Sequence, residues 1–296
     1  MHYTGPTFRP PFEASSLLIQ VTAGCSHNAC TFCTMYKDVP FSISPMDEVL
    51  ADIAEAALYR PHARRVFLVN GDAFCLPTEQ LLEIAEAIHT NLPEVTRIAS
   101  YASINNLRSK SVDELRALAQ AGYGELNIGL ESGLDDVLAF MNKGFTLAEA
   151  REQLGKLNEA GMPLSLNIIN AAAGPERIIE HAEANAAIVN EVQPCLLFVS
   201  PLHVDPGSEW EKIVEAGEFA ECTLGQYLQE EIAFLQGLEQ RDCVFFGLHV
   251  SNPIPVQGWL PRDKKQLLYA LCDGMAAIPQ HMLDSHPAKG AEGSLR

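Results

Sequence analysis

The chain predicts an α/β fold, a partial (βα)6 TIM-like barrel followed by a C-terminal helical and strand appendage. Three observations predict it. Short apolar runs alternate with stretches of helical periodicity six times between residues 17 and 205. Helix-start signals sit between them, with Ser111/Glu114 and Thr146/Glu149 spaced as capping boxes. The residues best suited to chemistry fall just after the apolar runs, where a parallel barrel places its ligands. Parallel strands need crossover connections, and six successive units fit a curled sheet better than a flat one, although a doubly wound sheet satisfies the same pattern.

Residues 1–16, with Arg9-Pro10-Pro11, read as an extended lead-in, because proline disfavours helix at and before its own position. The first strand is Leu17 to Thr22, and a cysteine-rich loop follows Gly24. Ser44, Pro45 and Asp47 start a helix whose apolar positions Val49, Leu50, Ile53, Ala54, Ala57 and Leu58 recur at helical spacing. Further strands are expected at Arg65–Asn70, Arg97–Tyr101, Glu125–Gly129, Pro163–Ile169 and Cys195–Val199. The helices between them are Thr78–Ile88, Ser111 to Gly122, Thr146 to Gly161 and Glu176–Val192. After residue 205 the alternation stops. Residues 206–283 read as an appendage covering the barrel mouth, with helices near Trp210–Gly217, Gln226–Leu238 and Asp263–Ala277 and a strand at Cys243–Leu248. The small polar residues of 284–296 predict a disordered tail.

Composition limits the partners. Of 296 residues 47% are hydrophobic, enough for a large core, and the formal charge of −18 repels phosphate backbones, which disfavours nucleic acid. No apolar run has the length of a membrane span and the first residues lack the regions of a signal peptide, so a cytoplasmic location and no membrane partner are expected. In a reducing compartment the eight cysteines are available as thiols. Cys75, Cys195, Cys222, Cys243 and Cys272 lie singly and read as small buried hydrophobes.

The other three thiols stand together in Cys25-Ser26-His27-Asn28-Ala29-Cys30-Thr31-Phe32-Cys33. Soft ligands this close point to a metal: zinc completed by His27 or a distant residue, or an iron–sulfur cube, which leaves one iron open when three cysteines hold it. The second expected strand ends in Asn70-Gly71-Asp72, the third runs into Ser103, and the fourth leads into Gly129-Leu130-Glu131-Ser132-Gly133 and Met141-Asn142-Lys143-Gly144. Asn167 lies on the fifth. His203, His249 and Asn252 are candidates for the substrate side, with a structural role as the alternative for each histidine.

With these motifs in place the chain resembles the radical S-adenosylmethionine (SAM) enzymes. Within them it is similar to the Elongator catalytic-subunit and oxygen-independent coproporphyrinogen dehydrogenase group, over roughly residues 8–205. The resemblance implies a [4Fe–4S] cluster on Cys25, Cys30 and Cys33, with SAM on the fourth iron. It implies reductive cleavage of SAM to a 5′-deoxyadenosyl radical that abstracts hydrogen from a small-molecule substrate, as an oxidoreductase or transferase, with an electron donor such as flavodoxin or ferredoxin. It also implies SAM contacts: Phe32 on the adenine, Gly71 and Asp72 at the ammonium, Glu131 at the ribose or methionine part, Asn167 at the ribose, Lys143 at the carboxylate, and Ser103 as a further contact. The competing expectation is a non-catalytic iron–sulfur or tetrapyrrole carrier on the same scaffold. The sequence departs from the family in three places. One extra residue separates Cys25 from Cys30, Asn70-Gly71-Asp72 replaces Gly-Gly-Glu, and Asn170-Ala171-Ala172-Ala173-Gly174-Pro175 replaces a glycine-rich turn.

Overall fold

The computed structural model describes residues 1–286. Its strands are β1 (Leu17–Gln20), β2 (Thr22–Ala23), β3 (Ser42–Ile43), β4 (Arg65–Val69), β5 (Arg97–Ala102), β6 (Tyr123–Glu131), β7 (Leu164–Asn170), β8 (Leu196–Pro201), β9 (Cys243–Gly247) and β10 (Val256–Leu260). Eight of them form one sheet in the order β1-β4-β5-β6-β7-β8-β9-β10. Every neighbouring pair in it is parallel except β9 with β10. Helices cover the outer face, where Ile19, Val66, Leu68, Ile98, Leu126, Ile128, Leu166, Ile168, Leu197 and Phe245 join the main core. A smaller cluster of Phe67, Val69 and Ala99, with Leu18 and Tyr101 against it, comes from the alternate positions of β1, β4 and β5 that face inward. The α/β class and the mostly parallel curled sheet are therefore as expected.

The region 206–283 is less separate than the sequence suggests. β9 pairs in parallel with β8, and the helix Leu224–Gly237 makes the crossover, packing beside the helix Ile178–Val192. The barrel alternation therefore continues past its sixth unit. It is hidden in sequence by the long connection that holds the short helix Glu209–Glu215. β10 goes unseen because Pro253, Pro255, Pro261 and Gly258 break up its pattern. Pro45, not Ser44, is the cap of the helix Met46–Tyr59, which has no side-chain cap, while both expected capping boxes form.

The lead-in lies along the free edge of β1, where the Tyr3 hydroxyl donates to the Leu18 carbonyl at 3.0 Å and the Thr4 amide to Gln20 Oε1 at 2.7 Å. It then turns through a 3-10 helix, Pro11–Glu13. The Phe12 ring lies 5.5 Å from Phe246 and 6.4 Å from Phe198, on the opposite side of the opening that the sheet leaves. Glu13 is fully buried and pairs with Arg65, whose guanidinium also reaches Glu125 at 3.3 Å; Arg97 reaches Glu125 at 3.0 Å. Because Arg65 and Arg97 begin β4 and β5, this network closes the N-terminal end of the barrel and leaves the C-terminal mouth for chemistry.

At the tail, Asp284 to His286 are docked, with the Leu224 amide donating to the Ser285 carbonyl at 2.9 Å. The rest of the expected disordered tail, 287–296, lies outside the described residues. Cys222 and Cys243 are buried as expected, Cys75 and Cys195 are half-buried, and Cys272 is exposed. Among the described residues no helix is long and apolar enough to cross a membrane.

Candidate metal and SAM site

The cysteine loop is built as a closed unit. β2 and β3 pair antiparallel, Thr22 with Ile43 and Ala23 with Ser42, and clamp its base. Its far side docks on the turn after the short helix Asp135–Phe140. The Thr31 amide donates to Met141 O at 3.1 Å, the Thr31 hydroxyl to Phe140 O at 3.0 Å, and Asn142 Nδ2 to Ala29 O at 2.9 Å. Met141-Asn142-Lys143-Gly144 thus holds the loop as well as presenting a lysine, a role that sequence spacing alone does not reveal. The Trp210 amide donates to Thr31 O at 2.9 Å, and its buried ring packs with Phe140 and Phe219, so the helix Glu209–Glu215 covers the same loop.

All three thiols are free and half-buried. Burial pushes the Cys30 pKa up, opposed by the Lys143 charge, and pushes Cys33 up to about 11. A bound cation or cluster removes that penalty by its own charge. Zinc holds four ligands within about 2.3 Å of one point. His27, the local candidate for the fourth, donates from Nε2 to the Asn142 carbonyl at 2.6 Å, which leaves Nδ1 as its ligand atom. Among the described residues no three Cys, His, Asp or Glu side chains are gathered around a point of that kind. Three thiols on one loop suit a cube, in which each binds a different iron.

Around the loop stand the other expected residues. Gly71 donates its amide to Gly24 O at 3.0 Å, and a Cβ there would lie 2.6 Å from the Cys25 Cβ, so only glycine lets β4 come this close to the first cysteine. Lys143 Nζ pairs with Glu131 Oε1 at 3.1 Å, and the pair lies over Gly129, where a Cβ would meet Glu131 Oε1 at 2.1 Å. Burial works against the Lys143 ammonium, but Glu131, Cys30 and Cys33 hold its pKa above the ordinary lysine value. The same ammonium lies 5.8 Å from the ring centres of Phe32 and Phe145. Cys30, Cys33, Phe32, Glu131 and Lys143 are therefore one neighbourhood.

Asp72 is held by internal donors at the base of the cysteine loop. It is fully buried and accepts from Ser26 Oγ at 2.7 Å, from the Ser103 amide at 3.1 Å and from Asn106 Nδ2. Burial raises its pKa, and these donors oppose the rise. Its carboxylate ties the cysteine loop to the exits of β4 and β5, and no oxygen is left without an internal donor. Ser103 takes part through its backbone, while its hydroxyl caps the short helix Ile104–Leu107. The shorter side chain of aspartate suits this inward position.

Across the barrel the wall is aromatic. Register places Gly129, Asn167, Phe198 and Phe246 side by side on β6 to β9, and the Phe198 and Phe246 rings stack at 5.7 Å. His203 and His249 follow β8 and β9. His249 meets the Phe198 ring edge-on at 5.7 Å, and burial, then His203, lowers its pKa. His203 Nε2 lies 3.3 Å from Asp205, which also accepts from Thr34 of the cysteine loop. Asn252 is a structural tie, donating to Val199 O at 2.9 Å and accepting from the Tyr227 hydroxyl at 3.2 Å.

Comparison with known proteins agrees with this geometry. The chain is 26% identical over 195 residues to a tRNA-2-methylthio-N(6)-dimethylallyladenosine synthase of Hahella chejuensis, covering 62% of this chain and 42% of that protein. It spans less than half the length of the curated relative it matches. Solved structures of similar fold include the radical SAM methyltransferase TsrM of Kitasatospora setae, with cobalamin and a [4Fe–4S] cluster bound (TM-score 0.55, 16% identity, covering 68% of this chain and 39% of that one). Another is the Escherichia coli coproporphyrinogen III oxidase HemN (TM-score 0.53, 19% identity, 75% and 52%). The family model of the Radical SAM superfamily matches residues 19–185, more than half of the chain. A cysteine trio at the mouth of a parallel barrel, together with that match, places the chain in the radical SAM superfamily, enzymes that work with a [4Fe–4S] cluster and SAM.

Proposed function

We propose that Cys25, Cys30 and Cys33 hold the cluster and that SAM lies between the cysteine loop and the exits of β4 to β7, so that the chain acts on a small molecule bound against the β8–β9 wall. The observation that carries this reading is the Lys143–Glu131 pair set beside Cys30 and Cys33. When bound, the cluster and SAM supply a one-electron cleavage of the sulfonium whose carbon radical takes hydrogen from the substrate. The chain's own groups do the holding. Lys143 offers its charge to the methionine carboxylate, Glu131 and Asn167 offer acceptors and an amide to hydroxyl or amino groups, and Phe32 offers a ring face for adenine. Gly71 gives the room, while Asp72 and Ser103 keep the cysteine loop in place. The electron comes from a one-electron carrier such as flavodoxin or ferredoxin.

The test is anaerobic reconstitution with iron and sulfide, followed by dithionite and SAM. Release of 5′-deoxyadenosine by the wild type and its loss in Cys25→Ala, Cys30→Ala and Cys33→Ala is expected. An iron-loaded protein that cleaves no SAM would overturn the reading. A second reading, modification of a nucleoside in tRNA, is favoured by the curated relatives. The net charge of −18 works against it. Stimulation of SAM cleavage by added tRNA would decide in its favour.

A further inference from the structure

A chain of buried polar groups runs from the exit of β6 into the helix layer, and nothing in the proposed chemistry uses it. Ser132 Oγ lies 2.8 Å from His181 Nε2, and His181 Nδ1 lies 2.8 Å from Glu230 Oε1. Ser132, His181, Asn185 and Glu230 are all fully buried. The proton positions follow from the neighbours. The Gly133 amide can only donate, and it donates to Asn185 Oδ1 at 2.6 Å, which turns Asn185 Nδ2 towards His181 Nε2 at 3.4 Å. His181 Nε2 is therefore an acceptor. It receives the Ser132 hydroxyl proton, His181 carries its own proton on Nδ1, and that proton is donated to Glu230. The arrangement has the proton order of a hydrolytic triad, but Ser132 reaches no solvent and its oxygen also accepts the Leu134 amide at 3.1 Å. It is built to hold backbone.

Two strand exits are what it holds. Glu131, next to Ser132, has φ +73°, and Ala171, at the exit of β7, has φ +67°. Both are side-chain-bearing residues in the left-handed region, which needs outside support. The Ala171 amide donates to the same Glu230 Oε1 at 2.9 Å. Gly133 presses on the other helix so closely that a Cβ would lie 2.4 Å from the Ala184 carbonyl oxygen.

We propose that Ser132, His181 and Glu230 are positioning residues. They lock the exits of β6 and β7 to the two helices behind them and so keep the Glu131 carboxylate beside Lys143 in the SAM site. The proposal rests on the SAM-site reading for its consequence, while the lock itself can be read without cofactor. Two measurements separate the two. In the cofactor-free protein, hydrogen exchange at amides 130–134 and 169–174 should speed up in Ser132→Ala and His181→Phe, with iron uptake after reconstitution unchanged. Reconstituted Ser132→Ala and His181→Phe should bind SAM about 10-fold or more weakly, as loss of an outer hydrogen-bond partner does at metal sites. Binding is read by the change SAM makes in the spectrum of the reduced cluster. Glu230→Gln, whose amide oxygen can still accept both protons, should stay near wild-type affinity, and Glu230→Leu should not. Unchanged exchange in Ser132→Ala and His181→Phe would overturn the lock, whatever SAM does. Faster exchange with unchanged SAM affinity would overturn its role in the site. A wild type that binds no SAM, with faster exchange in the variants, would leave the lock standing and remove the SAM reading.

Discussion

At the scale of single residues, the site depends on a few close approaches. A methyl at position 71 has nowhere to go but into Cys25, so Gly71→Ala should lose much of its iron on reconstitution while keeping its circular dichroism; full iron loading would refute the contact. Removing Lys143 leaves the Glu131 carboxylate buried without its partner, so Lys143→Met should lose about 3 kcal/mol in denaturant unfolding, and Lys143→Arg much less. Glu231 shows how burial couples to pH. It is fully buried, and burial raises its pKa from 4.5 to about 7, opposed by Tyr227. The folded state then holds a proton that the unfolded state gives up, so the stability present below pH 4.5 falls as pH rises towards about 7. Glu231→Gln should therefore raise the melting temperature more at pH 8 than at pH 4, and an equal effect at both would refute the shift. Spacing and strand ends mark the cysteines, Gly71, Glu131 and Lys143 in the sequence, and the structure brings them into one neighbourhood. Asp72 is ambiguous in sequence because its type suits both a ligand and an internal tie, and the structure shows it buried among internal donors.

At the scale of elements, the exit of β7 carries its own strain. Ala171 occupies a left-handed conformation that glycine adopts without penalty, so Ala171→Gly should stabilise by up to about 1 kcal/mol, offset in part by the greater freedom of glycine in the unfolded chain. A loss of stability would show that the Ala171 methyl, buried against Leu228 and Tyr227, matters more than the backbone. The glycine-poor sequence at this turn reads as a departure from family pattern, and the structure meets it with an unusual alanine conformation pinned by Glu230. Capping boxes at Ser111 and Thr146 were readable because they are local. The docking of Met141-Asn142 onto the cysteine loop was not, since its partners lie over a hundred positions away.

At the scale of the whole molecule, the sheet continues through β9 and β10, so residues after 205 belong to the fold. A fragment ending at residue 205 exposes the edge of β8 and the face of the helix Ile178–Val192 that the helix Leu224–Gly237 covers. It should fail to unfold cooperatively, and a sharp transition near that of the full chain would show the first six units to be independent. The net charge of −18 acts at this scale too. Raising salt from about 50 mM to about 500 mM screens the self-repulsion and should raise the melting temperature by a few degrees.

The sequence by itself determined the parallel α/β class, the cysteine trio proposed for the cluster and the strand ends beside it, because periodicity, capping and cysteine spacing are written over short stretches of chain. Tertiary structure alone decided that Asp72 faces inward, that Glu131 pairs with Lys143, that the lead-in spans the open side of the barrel, and that Ser132, His181 and Glu230 form one buried chain. Each of these joins residues from separate elements, and which of two chemically equal roles a side chain takes depends on the water and the partners that packing leaves around it.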